Sequence, residues 1–166
     1  GVILAGQNGP GATNLVTGIA QAAAAFSPVV SIAGFISTKD KIQDAFQGID
    51  QQSLFKPITK KTWTISTTEK IPKIFSKAFN LAMSPRRGPV QLNLPRNILS
   101  GTAKFNINKN EKSYKTIDTT KGKKNDIKKA VQIISSATKP VIIVGGGIKY
   151  TGNYKEVIKL AELTNA

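Results

Sequence analysis

The chain has 166 residues and a formal net charge of +15, from 24 Lys and Arg against 9 Asp and Glu. It contains no Cys and no His, which excludes a disulfide framework, a thiolate nucleophile and the commonest general base and metal ligand. No apolar run approaches the roughly 18 residues of a membrane-spanning helix, and no secretory or transit segment is visible, so the expectation is a cytoplasmic protein with no membrane partner.

In chain order, Gly1 to Gly6 (GVILAG) is short, apolar and β-branched, and predicts a buried strand. A glycine-rich turn follows, Gly6-Gln7-Asn8-Gly9-Pro10-Gly11-Ala12-Thr13-Asn14. Asn14 to Ala25 then carries Leu15, Val16, Ile19, Ala20 and Ala23 at helical spacing. Glycines without Cβ let the backbone turn sharply and let another body approach. The turn reads either as an ordinary strand-to-helix connection or as an anion or polar-ring site at exposed amides. After Ser27-Pro28, Val29 to Ala33 predicts a second buried strand. Residues 34 to 58 are polar and irregular, apart from a short helix near Gln51 to Phe55 that Pro57 ends. Thr59 to Ser66 alternates and is rich in threonine, as in a strand near a sheet edge.

Thr68 is placed to cap a helix whose first turn holds Pro72, and which buries Ile71, Ile74, Phe75, Ala78, Phe79 and Ala82. Arg86-Arg87-Gly88 turns the chain into the strand Pro89 to Leu94, and Pro95 and Gly101 close the unit. Residues 102 to 121 lack periodicity and read as a linker. Lys123 to Ala137 is an amphipathic helix with Ile127, Val131, Ile133 and Ile134 apolar. A strand at Val141 to Val144, the turn Gly145-Gly146-Gly147 and a helix over Asn153 to Asn165 follow. The expected domains are 1–101, a linker at 102–121, and the opening of a second nucleotide-binding-type unit at 122–166.

Alternating strands and helices give an α/β class with a mostly parallel sheet flanked by helices. Ligands of such sheets lie at the carboxyl ends of the strands. That rule offers two sites, one at Gly9 to Asn14 with the 34–58 loop and one at Gly145 to Gly147. The positive charge raises nucleic acid as a partner. The pattern speaks against it, because only Arg86, Arg87 and Arg96 are arginines and the densest basic stretch, Lys104 to Lys129, holds just Phe105 and Tyr114 as aromatics. A nucleotide- or nucleic-acid-binding module stays as the alternative from another class.

Four linked segments now carry a resemblance. GPGATNLVTGIAQA, SPVVSIAG, DAFQGIDQQSLFKPITK and RRGPVQLNLPRNIL, in this order, resemble the pyrimidine-binding domain of thiamine-diphosphate-dependent enzymes, with the acetolactate synthase group nearest in pattern. The tail KPVIIVGGGI resembles the start of that family's central domain. The resemblance implies a thiamine-diphosphate-binding fold followed by a Rossmann-like domain. It implies decarboxylation of a 2-oxo acid such as pyruvate and transfer of the two-carbon unit to a second 2-oxo acid, or, as in sulfoacetaldehyde acetyltransferase, transfer onto phosphate. Gly9, Pro10, Gly11 and Asn14 would line the thiamine site. Phe46 and Gln47 match a Phe-Gln pair near the reacting centre, with Gln47 orienting a substrate carbonyl. Gly145, Gly146 and Gly147 match a loop that approaches FAD in flavin-containing members. Mg2+ would be held by a domain outside this chain, and the active site shared in a homodimer or homotetramer. The family's activating glutamate would lie before Gly1. The chain therefore reads as a fragment, inactive alone. Gly48, and Gln7-Asn8 before the Gly-Pro-Gly, depart from the acetolactate synthase pattern and leave the acceptor open.

Overall fold

The computed structural model describes residues 1–40, 45–105 and 121–166. The chain falls into two units, Gly1–Asp118 and Thr119–Ala166.

The first unit is built on a four-stranded sheet in the order β1-β2-β4-β3, with every neighbouring pair parallel. The strands are β1 (Val2–Ala5), β2 (Val30–Phe35), β3 (Thr62–Thr64) and β4 (Val90–Pro95). Helices α1 (Pro10–Thr13) and α2 (Val16–Ala24) join β1 to β2. Helix α3 (Gln51–Phe55) precedes β3, α4 (Ile71–Met83) joins β3 to β4, and α5 (Arg96–Leu99) follows β4. Parallel strands need such crossovers, so the α/β class expected from the alternation is the class observed.

The sheet has two unlike faces, because successive side chains point to opposite sides of a strand. Val30 and Ile32 of β2 and Val90, Leu92 and Leu94 of β4 form one apolar face. Against it pack Ala78 and Ala82 of α4, with Ile71, Ile74, Phe75 and Phe79 partly buried beside them. This agrees with the helical stripe expected for that segment. The other face carries Ala33 in a cluster with Ala12, Ile19 and Phe55 from α1, α2 and α3. It also carries Ser31, Gln91 and Asn93, all fully buried. Register aligns Ser31, Gln91 and Thr62 in one row, and Ala33, Asn93 and Thr64 in the next.

In this unit two expectations need correction, those for β1 and Thr68, and two need an added turn. Strand β1 is at the sheet edge rather than buried, with Leu4 67% exposed; an apolar run alone does not say whether a strand has one neighbour or two. The helix expected over Asn14 to Ala25 forms as α2, and the glycine turn before it holds a further short helix, α1, from Pro10. Leu15 N–H bonds Ala12 O in a tight i→i−3 turn that interrupts the ladder. Thr68 does not cap α4: it sits in a 3-10 turn before that helix, and its hydroxyl donates to Ile98 O. Helix α3 spans Gln51–Phe55, as expected, and a 3-10 turn over Lys56–Ile58 follows it around Pro57.

The second unit holds α6 (Lys124–Ser136), α7 (Ile148–Thr151) and α8 (Tyr154–Thr164). The strand expected at Val141 to Val144 is not formed, and Ile143 is 91% exposed. A strand exists by backbone pairing, and no other extended segment among the described residues of this unit offers an edge to it. Of the linker expected at 102–121, residues 106–120 lie outside the described residues.

Helix α3 owes its start to Asp50, whose Oδ1 accepts the Ser53 backbone N–H at 3.0 Å. Hydrogen bonds from the Ser53 hydroxyl and backbone hold the Asp50 carboxyl below its usual pKa. A depressed folded-state pKa gives stability that is full above the unfolded value, about 3.9. That stability is lost as pH falls through the lower folded value. In the full-length protein, Asp50→Ala is expected to cost about 1 kcal/mol at pH 7 in denaturant unfolding. The difference should shrink in acid, and Asp50→Asn, which caps without a charge, should not show that shrinkage.

Candidate functional site

Three loops converge at the carboxyl end of the sheet, those after β1, β2 and β4. They enclose a cleft of about 620 Å³ lined by Asn8, Phe35, Ile36, Ser37, Asp40, Ala45, Phe46, Gln47 and Arg96. This is where a parallel sheet places its ligands.

A buried glutamine ties these loops together. Gln51, the first residue of α3, is fully buried. Its Oε1 accepts the Gly9 backbone N–H at 3.3 Å. Its Nε2 donates to Gly34 O and to Asn93 Oδ1, both at 3.1 Å. Gln91 Nε2 also donates to Asn93 Oδ1, at 3.0 Å, and Asn93 Nδ2 to Thr64 Oγ1, at 3.4 Å. The amide network therefore spans the loop after β1, the end of β2, and strands β4 and β3. Close backbone packing accompanies it: a Cβ on Gly34 would lie 2.5 Å from Gly6 O.

The second contact set fixes Phe46 and Gln47. Gln47 has φ 60°, the left-handed region, which a side-chain-bearing residue occupies only when its surroundings impose it. Asn8 Nδ2 donates to Gln47 O at 3.2 Å, and Gln7 Nε2 to Gln47 Oε1 at 3.2 Å. Gly9 lies under this turn at φ 53°, where a Cβ would come 2.3 Å from Gln47 O. Glycine is required there both for the left-handed backbone and for the approach. Phe46, anchored beside it, is 87% exposed over the cleft. A second pair ties the segment after β2 to α5. Thr38 N–H donates to Asn97 Oδ1 at 3.0 Å and Asn97 Nδ2 to Thr38 Oγ1 at 2.9 Å, which fixes the chain around Arg96.

The structure thus brings Gly9 together with Phe46 and Gln47. Pro10, Gly11 and Asn14 sit on α1 and its C-cap, with Pro10 and Asn14 exposed. Gly145, Gly146 and Gly147 belong to the second unit, where they are exposed and a Cβ on any of them would meet nothing within 4 Å. Sequence reasoning missed Asn8, Gln51 and Arg96 as site residues. Arg96 had a readable signal, its position directly after the last strand. Gln51 had none, because a glutamine opening a short helix ordinarily faces water. Among the described residues no group of three or more His, Cys, Asp or Glu is placed to hold a metal, and no helix is long and apolar enough to cross a membrane.

Comparison with known proteins places this geometry. Residues 1–54 match the thiamine pyrophosphate enzyme, N-terminal TPP binding domain, and residues 127–166 match the central domain of the same enzymes. The chain belongs to the thiamine pyrophosphate enzyme family. It is 42% identical over 163 residues to a probable acetolactate synthase large subunit of Methanococcus aeolicus, covering 96% of this chain and 27% of that one. It is 43% identical over 169 residues to the acetolactate synthase large subunit of Buchnera aphidicola subsp. Schizaphis graminum, covering 99% and 29%. It is 38% identical over 169 residues to acetolactate synthase isozyme 3 large subunit of Escherichia coli, again covering 99% and 29%. The chain therefore spans under a third of the length of these relatives.

Two substitutions separate satisfied from unsatisfied members of the buried polar face. Gln51→Leu strands the Gly9 N–H and Gly34 O, and is expected to cost roughly 2–4 kcal/mol of stability. Ser31 Oγ is buried without a hydrogen-bond partner. Ser31→Ala is therefore expected to be neutral or to stabilise by up to about 1 kcal/mol in the same unfolding assay.

Proposed function

We propose that the full-length protein is a thiamine-diphosphate-dependent carboligase of the acetolactate synthase type. It decarboxylates a 2-oxo acid, pyruvate in the simplest case, and joins the two-carbon unit to a second 2-oxo acid. The observation that carries this reading is the anchored Phe46–Gln47 turn at a cleft that Arg96 also lines. When bound, thiamine diphosphate supplies the nucleophilic carbon and the electron sink for loss of carbon dioxide.

The residues of this chain bind and orient. Pro10, Gly11 and Asn14 form the wall on which the thiamine ring rests, and Gly9, buried under the Gln47 turn, sets the backbone that carries them. They fit a flat ring because Pro10 and Asn14 are exposed and glycines flank Pro10 on both sides. Phe46 covers the cleft and excludes water. Gln47 directs its amide at a substrate oxygen. Arg96 attracts the substrate carboxylate. The described residues do not fit a magnesium site, and no step here runs through the metal. Gly145, Gly146 and Gly147 offer bare backbone to a nucleotide such as FAD. The enzyme works in the cytoplasm as a homodimer or homotetramer, with its active site between subunits.

A second reading, acyl transfer onto phosphate as in sulfoacetaldehyde acetyltransferase, is favoured by Gln7-Asn8 standing before the Gly-Pro-Gly. One assay separates the two. The full-length protein with thiamine diphosphate and Mg2+ is expected to turn over pyruvate without phosphate. Turnover only with sulfoacetaldehyde plus phosphate would establish the second reading, and calorimetry showing no cofactor binding would overturn both. Gln47→Leu is expected to lower kcat/KM on pyruvate by about tenfold or more, the loss of one charge-assisted hydrogen bond.

A further inference from the structure

An amide side chain has two unlike ends, and which end faces a substrate decides what that substrate is. In Gln47 one end is spoken for, since Oε1 accepts from Gln7 Nε2 at 3.2 Å. Its Nε2 has no hydrogen-bond partner among the described residues, and Gln47 lines the cleft while Gln7 does not. The Gln47 backbone is held separately, by Asn8 on its carbonyl and by Gly9 beneath it. The side-chain amide therefore answers to Gln7.

Gln7 is itself held. A Cβ on Gly11 would lie 2.8 Å from Gln7 Cβ and 3.8 Å from Gln7 Oε1. The Gln7 stem thus lies against the bare backbone of α1, and its Nε2 donates to Gln47. A glycine, a glutamine and a second glutamine form a chain from α1 to the cleft.

We propose that Gln7 is a positioning residue that sets the polarity of Gln47, turning the Gln47 NH2 into the cleft. Gln47 Nε2 then joins the Arg96 guanidinium as a donor in a cleft that Ser37 and Asp40 also line, and these two donors together suit a substrate group made of acceptors. A 2-oxo acid, with its carbonyl and carboxylate oxygens, offers such a group. The inference rests on the proposed reading of the cleft as the substrate site.

The test uses the full-length protein with its cofactor and Mg2+, and a double-mutant design. Two readouts are taken: the calorimetric dissociation constant for oxamate, an unreactive analogue that keeps the carbonyl and carboxylate of pyruvate, and KM and kcat for pyruvate. The variants are Gln7→Glu, Gln7→Leu, Gln47→Leu and the two doubles. The carboxylate introduced by Gln7→Glu only accepts, so Gln47 must turn its NH2 away from the cleft to meet it. Q7E is expected to weaken oxamate at least tenfold and Q7L about threefold, with KM rising and kcat within twofold of the parent. In the Gln47→Leu background both effects should fall below twofold. Equal effects in both backgrounds would mean that residue 7 acts through its own charge or bulk, and the proposal fails. It also fails if the Gln7 variants bind oxamate as the parent does. If Gln47→Leu alone changes neither oxamate binding nor KM, the reading of the cleft is wrong, and this inference falls with it.

Discussion

A single buried amide holds the functional end of this unit together. Gln51 takes a backbone N–H from the loop after β1, gives one hydrogen to the end of β2 and another to Asn93 of β4. In a low-dielectric interior a made hydrogen bond is firm and an unmade one is costly. Any shift of one loop relative to the others would break at least one of these bonds without water to replace it. The cleft walls, and the Phe46–Gln47 turn above them, inherit their positions from that constraint.

The division of labour between the sheet faces follows. The face toward α4 is apolar and gains its stability from area removed from water. The opposite face gives up part of that gain for polar side chains that must sit where partners exist. Not every atom succeeds: Ser31 Oγ and Gln91 Oε1, on residues aligned across the two central strands, are buried without hydrogen-bond partners. Polar residues on a central strand are therefore the signature of the face that serves the site. The edge strand β1 plays a smaller part in the packing and delivers the glycine turn at its end.

The chemistry this chain can contribute is bounded by its composition. With neither His nor Cys, it offers amides, a hydroxyl, a carboxylate, one exposed aromatic ring and one guanidinium at the cleft. Such groups can bind and orient a ligand, and the proposed function leaves bond-breaking to a coenzyme. The charge of +15 is carried mostly by lysines. Arg96 differs because it lies beside Gln47 around one cleft and is held there by the Asn97–Thr38 clamp.

The residues by themselves determined the order of strands and helices in the first unit and the parallel α/β class, because apolar periodicity and glycine-proline punctuation are local properties. The family, and with it the interest of Gly9, Phe46 and Gln47, came from the resemblance of linked segments. Only the tertiary structure decided that β1 is an edge, that Val141 to Val144 forms no strand, that Thr68 bonds Ile98 instead of capping α4, and that Gln51 lies under the site. Each of those depends on which backbone or polar group arrives from a distant part of the chain. Hydrogen-bond partners 17 to 42 positions away, as for Gln51, leave no periodic trace in the sequence.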